Sequence, residues 1–210
     1  MFRLPAALPM IAVCLCFIQN PINADEEDYK RRLGGPYSPT AEELKMLPAA
    51  CIAKENRNPA EVEKWEKALG DSFVHLHHYC YALNFLNRIH RGIGDKKFLL
   101  NAALNDFKYM QRISEHNVLR PELEYNTGQV LYQLGKMPEA VASLQKAIVL
   151  KPDYVQAYLL LSLCYRKVGD ITGAAEVLQA GLTKVPDSSS LQNALREINS
   201  TKQESNADKH

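Results

Sequence analysis

The sequence predicts an all-α fold, a short solenoid of antiparallel helical hairpins carrying an N-terminal helical extension. Three observations predict it. Residues 121–154 and 155–188 carry one pattern twice, 34 residues apart: Gly128 answers Ser162, Gly135 answers Gly169, Ala140 answers Ala174, Leu144 answers Leu178, and Pro152 answers Pro186. A fixed period of this size marks stacked units that share a continuous core. Before the repeats, apolar residues recur at spacings of three and four, the signature of helices buried along one face. Gly-Asp and Gly-Lys pairs and prolines punctuate these stripes where hairpin turns and helix ends are needed.

Residues 1–24 read as a cleavable export signal. Arg3 gives a thin positive start, an apolar run from Leu8 to Ile18 follows, and Ala24 precedes the acidic Asp25-Glu26-Glu27-Asp28. The run is too short to span a bilayer comfortably. Cleavage after Ala24 is expected, with a periplasmic or secreted product and no stable membrane anchor. Cleavage removes one Arg from a chain with 25 basic and 24 acidic residues, leaving 24 of each. A balance of this kind gives no electrostatic reason to bind nucleic acid or an anionic membrane surface.

Residues 25–57 read as a mobile leader and one short helix. Thr40-Ala41-Glu42-Glu43 has the form of a capping box. Pro48 stops that helix, and Cys51 falls in the loop beyond it. Residues 58–120 form a helical hairpin region. Asn58-Pro59-Ala60-Glu61 opens a helix with a cap and an N-terminal proline, and Val62, Trp65 and Leu69 line one face. Asp71 is expected to cap a helix over about Ser72–Arg91. That helix is apolar on most sides, as a central helix covered by neighbours should be. Gly92-Ile93-Gly94-Asp95 turns the chain into a helix over about Lys97–Ser114. Setting Gly94-Asp95 against Gly169-Asp170 puts Leu99 and Ala103 at the places of Ala174 and Leu178, so this hairpin is a candidate divergent repeat.

In the clear repeats, helices are expected over about Pro121–Leu134, Pro138–Leu150, Val155–Val168 and Ile171–Lys184. Gly128 and Ser162 face Ala140 and Ala174 where paired helices cross closely. Ala147 and Gly181 do the same between successive units. Gly135 and Gly169 permit tight turns. A last helix, Ser189–Ile198 within residues 189–199, has the polar outer face a terminal unit needs. Residues 200–210 are polar and are expected to be disordered. Asn199-Ser200-Thr201 matches a glycosylation acceptor.

The period and the pattern Gly128, Leu131, Gly135, Ala140, Ala147, Pro152, echoed by Tyr158, Leu161-Ser162, Tyr165, Gly169-Asp170, Ala174, Leu178 and Pro186, resemble the tetratricopeptide repeat (TPR) family. Glu124, where the family prefers a large aromatic, and Gly181, where it prefers Ala, depart from it. The resemblance implies a TPR-type solenoid, with 121–154 and 155–188 as two repeats, whose first helices line a concave protein-binding face. It places Glu122, Tyr125, Gln129, Tyr132 and Gln133 of the first repeat there, and Gln156, Leu159, Leu163, Arg166 and Lys167 of the second. Tyr, amide and apolar groups with a basic end suit an extended or helical peptide. The family's Lys/Asn clamp for a terminal carboxylate is absent, since Tyr125, Gln129 and Leu160 stand at its positions.

Cysteines and histidines supply the other candidates. In the exported chain Cys51, Cys80 and Cys164 remain, in an oxidising compartment. Cys51 and Cys80 are the expected disulfide, although connectivity does not follow from sequence alone. Cys164 reads as a small buried hydrophobe. His75 and His78 share a helical face and are weak candidates for a metal, with no further ligand near them in sequence. No cofactor is expected. Phosphate-cradling loops, nucleophile elbows and metalloprotease motifs are all missing from the sequence, which argues against an enzyme. The leading expectation is therefore an exported scaffold or adaptor for a protein partner, as in envelope assembly. Two alternatives stand beside it: a metal- or ligand-binding protein using the His75–Cys80 helix, and a subunit of a larger complex whose partner covers the apolar hairpin.

Overall fold

In the computed structural model, residues 28–113 and 118–207 are described, the side chains as far as residue 200. The expected signal at 1–24 lies outside the described residues. All regular structure among them is helical: α1 (residues 28–33), α2 (Ala41–Leu44), α3 (Ala49–Asn56), α4 (Pro59–Leu69), a 3₁₀ turn (Gly70–Phe73), α5 (Leu76–His90), α6 (Lys96–Ile113), α7 (Arg120–Gln133), α8 (Met137–Leu150), α9 (Val155–Lys167), α10 (Ile171–Lys184) and α11 (Ser189–Ala207).

Three hairpins, α5/α6, α7/α8 and α9/α10, stack in order. The second helix of each packs on the first helix of the next, and α11 closes the end against α10 and α9. The expected packing roles hold. Ala140, Leu144, Ala147, Ala174 and Leu178 are fully buried, and so are Leu99 and Ala103 of α6. The α5/α6 hairpin thus occupies the place of a repeat in the stack. A Cβ on Gly128 would sit 2.7 Å from Leu144 Cγ, and one on Gly181 2.9 Å from Tyr158 Cγ of its own hairpin and 3.0 Å from Leu191 Cδ1 of α11, so Gly181 serves both the hairpin and the junction to the next helix. Gly181 is therefore required by the Tyr158 ring beneath it.

The other departure, Glu124, also has a physical account. It is fully buried, yet its carboxylate accepts from Arg120 Nε (2.9 Å) and Gln111 Nε2 (2.8 Å), while Arg120 Nη1 donates to the Gln111 carbonyl. A polar knot ties the end of α6 to the start of α7 where an aromatic would otherwise fill space. A buried carboxylate is tolerable only when paired in this way.

The N-terminal segment differs most from expectation. The leader is not loose from residue 28 onward: α1 docks on the α5–α6 turn. Leu33 is buried, Asp95 N–H donates to the Arg32 carbonyl at 2.8 Å, and Arg32 lies over the Phe98 ring. Gly94, at φ +76°, lies so close to the Arg32 and Leu33 carbonyls that no Cβ would fit. Cys51 is in α3 rather than in a loop, because Pro48 both ends the turn after α2 and stands at the N-terminus of α3. Asp71 does not cap α5; it lies in the 3₁₀ turn, and α5 starts after His75 with no side-chain cap. At the C-terminus α11 runs on to Ala207, past the expected end at Ile198, while residues 208–210 lie outside the described residues.

The N-terminal layer is held by three links. Cys51 and Cys80 form the expected disulfide between α3 and α5, with Cα atoms 5.5 Å apart. Arg88 of α5 is fully buried and donates through Nε and Nη2 to Glu43 at 2.7 and 2.9 Å. Tyr37 packs edge-on to Tyr81 and Phe85 and donates to Asp106 of α6. The apolar α5 helix is thereby largely covered by its own chain.

Candidate protein-binding face

The residues expected on the concave face lie along α7 and α9. On α7, Tyr125, Gln129, Tyr132 and Gln133 are half-buried. On α9, Leu159 and Arg166 are half-buried, while Gln156, Leu163 and Lys167 are exposed. Their spacing of three and four keeps each set on one side of its helix, and α7 touches α9 directly, as α9 touches α11. Leu163 is 41% exposed, a large apolar side chain in the middle of this strip. Arg166 is not a free cation, because its Nη1 donates to Glu197 of α11 at 3.0 Å.

Toward α5 the strip ends in a cluster that sequence reasoning only partly reached. The Tyr125 and Tyr154 rings meet with centroids 5.0 Å apart. Lys151 Nζ lies 4.8 Å from the Tyr154 ring centre and donates to Glu122 Oε1 at 3.1 Å. Asn126 donates to the buried Tyr79 hydroxyl from α5. Burial, with Glu122 nearby, raises the Tyr79 and Tyr154 phenols well above their usual range, so both stay protonated and neutral. Glu122 and Tyr125 were expected here. Lys151 and Tyr154 were missed because they lie in the α8–α9 connection, where period arguments carry no facing information. One signal was available: Tyr79 and Tyr154 each stand 15 residues before a turn glycine, Gly94 and Gly169.

The histidines form a second cluster. His78 Nδ1 donates to Asp106 Oδ1 at 2.7 Å, and Asp106 Oδ2 accepts from the Tyr37 hydroxyl at 2.8 Å. His75 Nδ1 lies 2.9 Å from the Tyr109 hydroxyl. The sequence showed no acidic partner near His78; the fold brings Asp106 from 28 positions away. His75 and His78 do share a face, the one turned to α6, but each uses a ring nitrogen in a hydrogen bond. Among the described residues no group of three or more His, Cys, Asp or Glu side chains is arranged to hold a metal. His77 lines a separate cavity of about 600 Å³ with Phe73, Tyr81, Lys54 and Arg57. Burial, then His78 and Lys54, lower its pKa. Cys164 is buried, and burial pushes its thiol up to about 11, away from reactivity.

Stacked hairpins of this geometry define a TPR-type solenoid. A family model described as TPR repeat matches residues 128–169. Among solved structures, the thermophilic TPR protein TTC0263 of Thermus thermophilus aligns with a TM-score of 0.53 at 21% identity, over 71% of this chain and 77% of that one. MamA aligns with a TM-score of 0.52 at 17% identity, over 75% and 86%. The first TPR of Spaghetti (RPAP3), solved bound to an HSP90 peptide, aligns with a TM-score of 0.48 at 16% identity, over 63% and 96%. No curated protein sequence matches the chain. No helix among the described residues is long and apolar enough to cross a membrane.

Proposed function

We propose that this chain is a non-catalytic adaptor that takes a segment of a partner protein along the face made by α7 and α9. The observation that carries the reading is Leu163, a large apolar side chain 41% exposed on α9, the helix that packs on the one bearing half-buried Tyr132. Apolar and aromatic anchors bordered by Gln129, Gln133 and Gln156 combine burial with orientation, as peptide grooves do. The TPR-repeat match supports the reading from outside the geometry. The near-zero charge balance favours a protein over a nucleic acid or an anionic membrane surface as partner.

We also propose that the protein acts after export, in the periplasm or outside the cell, with envelope assembly as the setting. The Cys51–Cys80 disulfide supports an oxidising compartment, and the layout of residues 1–24 supports a signal cleaved at Ala24. Capture from an envelope extract, repeated with Tyr125, Tyr132 and Arg166 changed to Ala, tests the face. Loss of the captured partner is expected, and undiminished capture would refute the assignment. N-terminal sequencing of the protein from its cells tests export. A start at Asp25 is expected, and recovery of the chain from Met1 in the cytoplasm would overturn it.

A further inference from the structure

The α5 end of the face already holds a cation. Lys151 stands at the C-terminus of α8, on the connection to α9, and sends its ammonium to two groups at once: the Glu122 carboxylate at 3.1 Å and the Tyr154 ring at 4.8 Å. A carboxylate beside an aromatic face is a receptor for an ammonium or guanidinium group. Tyr125 completes the wall by packing on Tyr154, and Tyr79 and Asn126 back it from α5 and α7. The rings stay neutral phenols, so Glu122 supplies the negative charge of this cluster. Lys151 and Glu122 are both open to water, with side chains 42% and 33% exposed. An exchange at such a pair costs little, since exposed ion pairs contribute weakly.

Resting on the adaptor reading, we infer that Glu122, Tyr125 and Tyr154 form a pocket for a Lys or Arg side chain of the bound peptide, and that Lys151 is its resident occupant, displaced on binding. The partner segment is then cationic at its α5 end. At the far end Glu197 is likewise paired, with Arg166 at 3.0 Å, but there the strip itself carries the cations Arg166 and Lys167, whereas at the α5 end it carries the acid Glu122. The charge of the partner is thus placed at one end, which fixes the direction in which the segment lies. The sign of the Lys151 effect is diagnostic. If Lys151 recognised an acidic partner, removing it would weaken binding; as an internal competitor, its removal strengthens binding.

The test uses the full chain and three capped peptides, acetyl-Ala-Leu-Arg-Leu-Ala-amide and its Gln and Glu versions at the centre, followed by NMR of the tyrosine and leucine side chains. The Arg peptide is expected to move the Tyr125 and Tyr154 signals. K151A should tighten it about three- to fivefold, the weight of an exposed ion pair, and E122Q should abolish the ring shifts. Circular dichroism of both variants should match the parent. Equal binding of the Arg and Gln peptides, or weaker Arg binding in K151A, would overturn the inference. Shifts confined to Tyr132 and Leu163 would overturn the pocket and leave the adaptor face standing. Silence of every face residue toward all three peptides counts against both.

Discussion

Glu43 serves Thr40 and Arg88 with the same oxygen. Its Oε2 accepts from the Thr40 backbone N–H at 2.9 Å, closing the capping box of α2, and from Arg88 Nη2 at 2.9 Å, while Oε1 takes Arg88 Nε at 2.7 Å. A local helix-start signal is thereby also the anchor of the N-terminal layer on α5. Arg88, against the opposing effect of burial, holds the Glu43 carboxyl at about 2.

This pair sets an acid dependence. A carboxylate with a lowered folded pKa stabilises the fold fully above its unfolded pKa of about 4.3, and the contribution is lost as pH falls toward 2. Urea denaturation at pH 7 and pH 3 should show a loss that E43Q largely removes. Arg88→Met alone leaves a buried carboxylate unpaired and should cost about 3–5 kcal/mol at pH 7. A cost below about 1 kcal/mol would mean that the pair is solvated in solution.

The disulfide should matter through the loop it closes. Cys51 and Cys80 are 29 positions apart, and a loop of that size contributes about 3.6 kcal/mol on a chain-entropy argument. C51A/C80A should lower the unfolding free energy by about that amount. Alkylation without reductant in denaturant should label Cys164 and neither of the other two. Labelling of Cys51 would contradict the bond.

Two glycines test close approach. In an exposed helix, Gly→Ala stabilises by about 1 kcal/mol. At Gly128 the added carbon meets buried Leu144, and overpacking of this kind costs about 1–3 kcal/mol. G128A should therefore lower Tm rather than raise it. G94A meets backbone rather than a side chain, and it also strains a left-handed φ. It should release α1, seen as faster amide exchange at Leu33 and Asp95 with α7–α10 protected as before. Unchanged exchange at both positions would mean that the leader is not held by this turn.

Asp106 joins the leader, α5 and α6 through Tyr37 and His78. D106A leaves both partners short of a hydrogen bond and should cost about 1–3 kcal/mol. Zinc added to the parent protein should leave Tm where it was. A zinc-dependent rise that H75N and H78N remove would restore the metal reading of this helix.

The sequence by itself determined the repeat. Positions such as Ala140, Leu144, Ala174 and Leu178 interact with partners one turn or one hairpin away, so a period of 34 carries their packing directly. It also announced Thr40-Glu43 as a helix start, because a capping box is local. It could not announce that Glu43 would find Arg88, that Asp106 would find His78, or that Lys151 would reach Glu122. Those contacts span 45, 28 and 29 positions, and only the order in which helices stack decides which polar side chains face one another. The leader was misjudged for the same reason. Its charge and glycines describe an isolated segment well, but Leu33 gains its burial from the α5–α6 turn. What the tertiary structure decided was how the N-terminal layer is fixed to α5 and which charges remain available on the face, since both depend on helices distant in sequence.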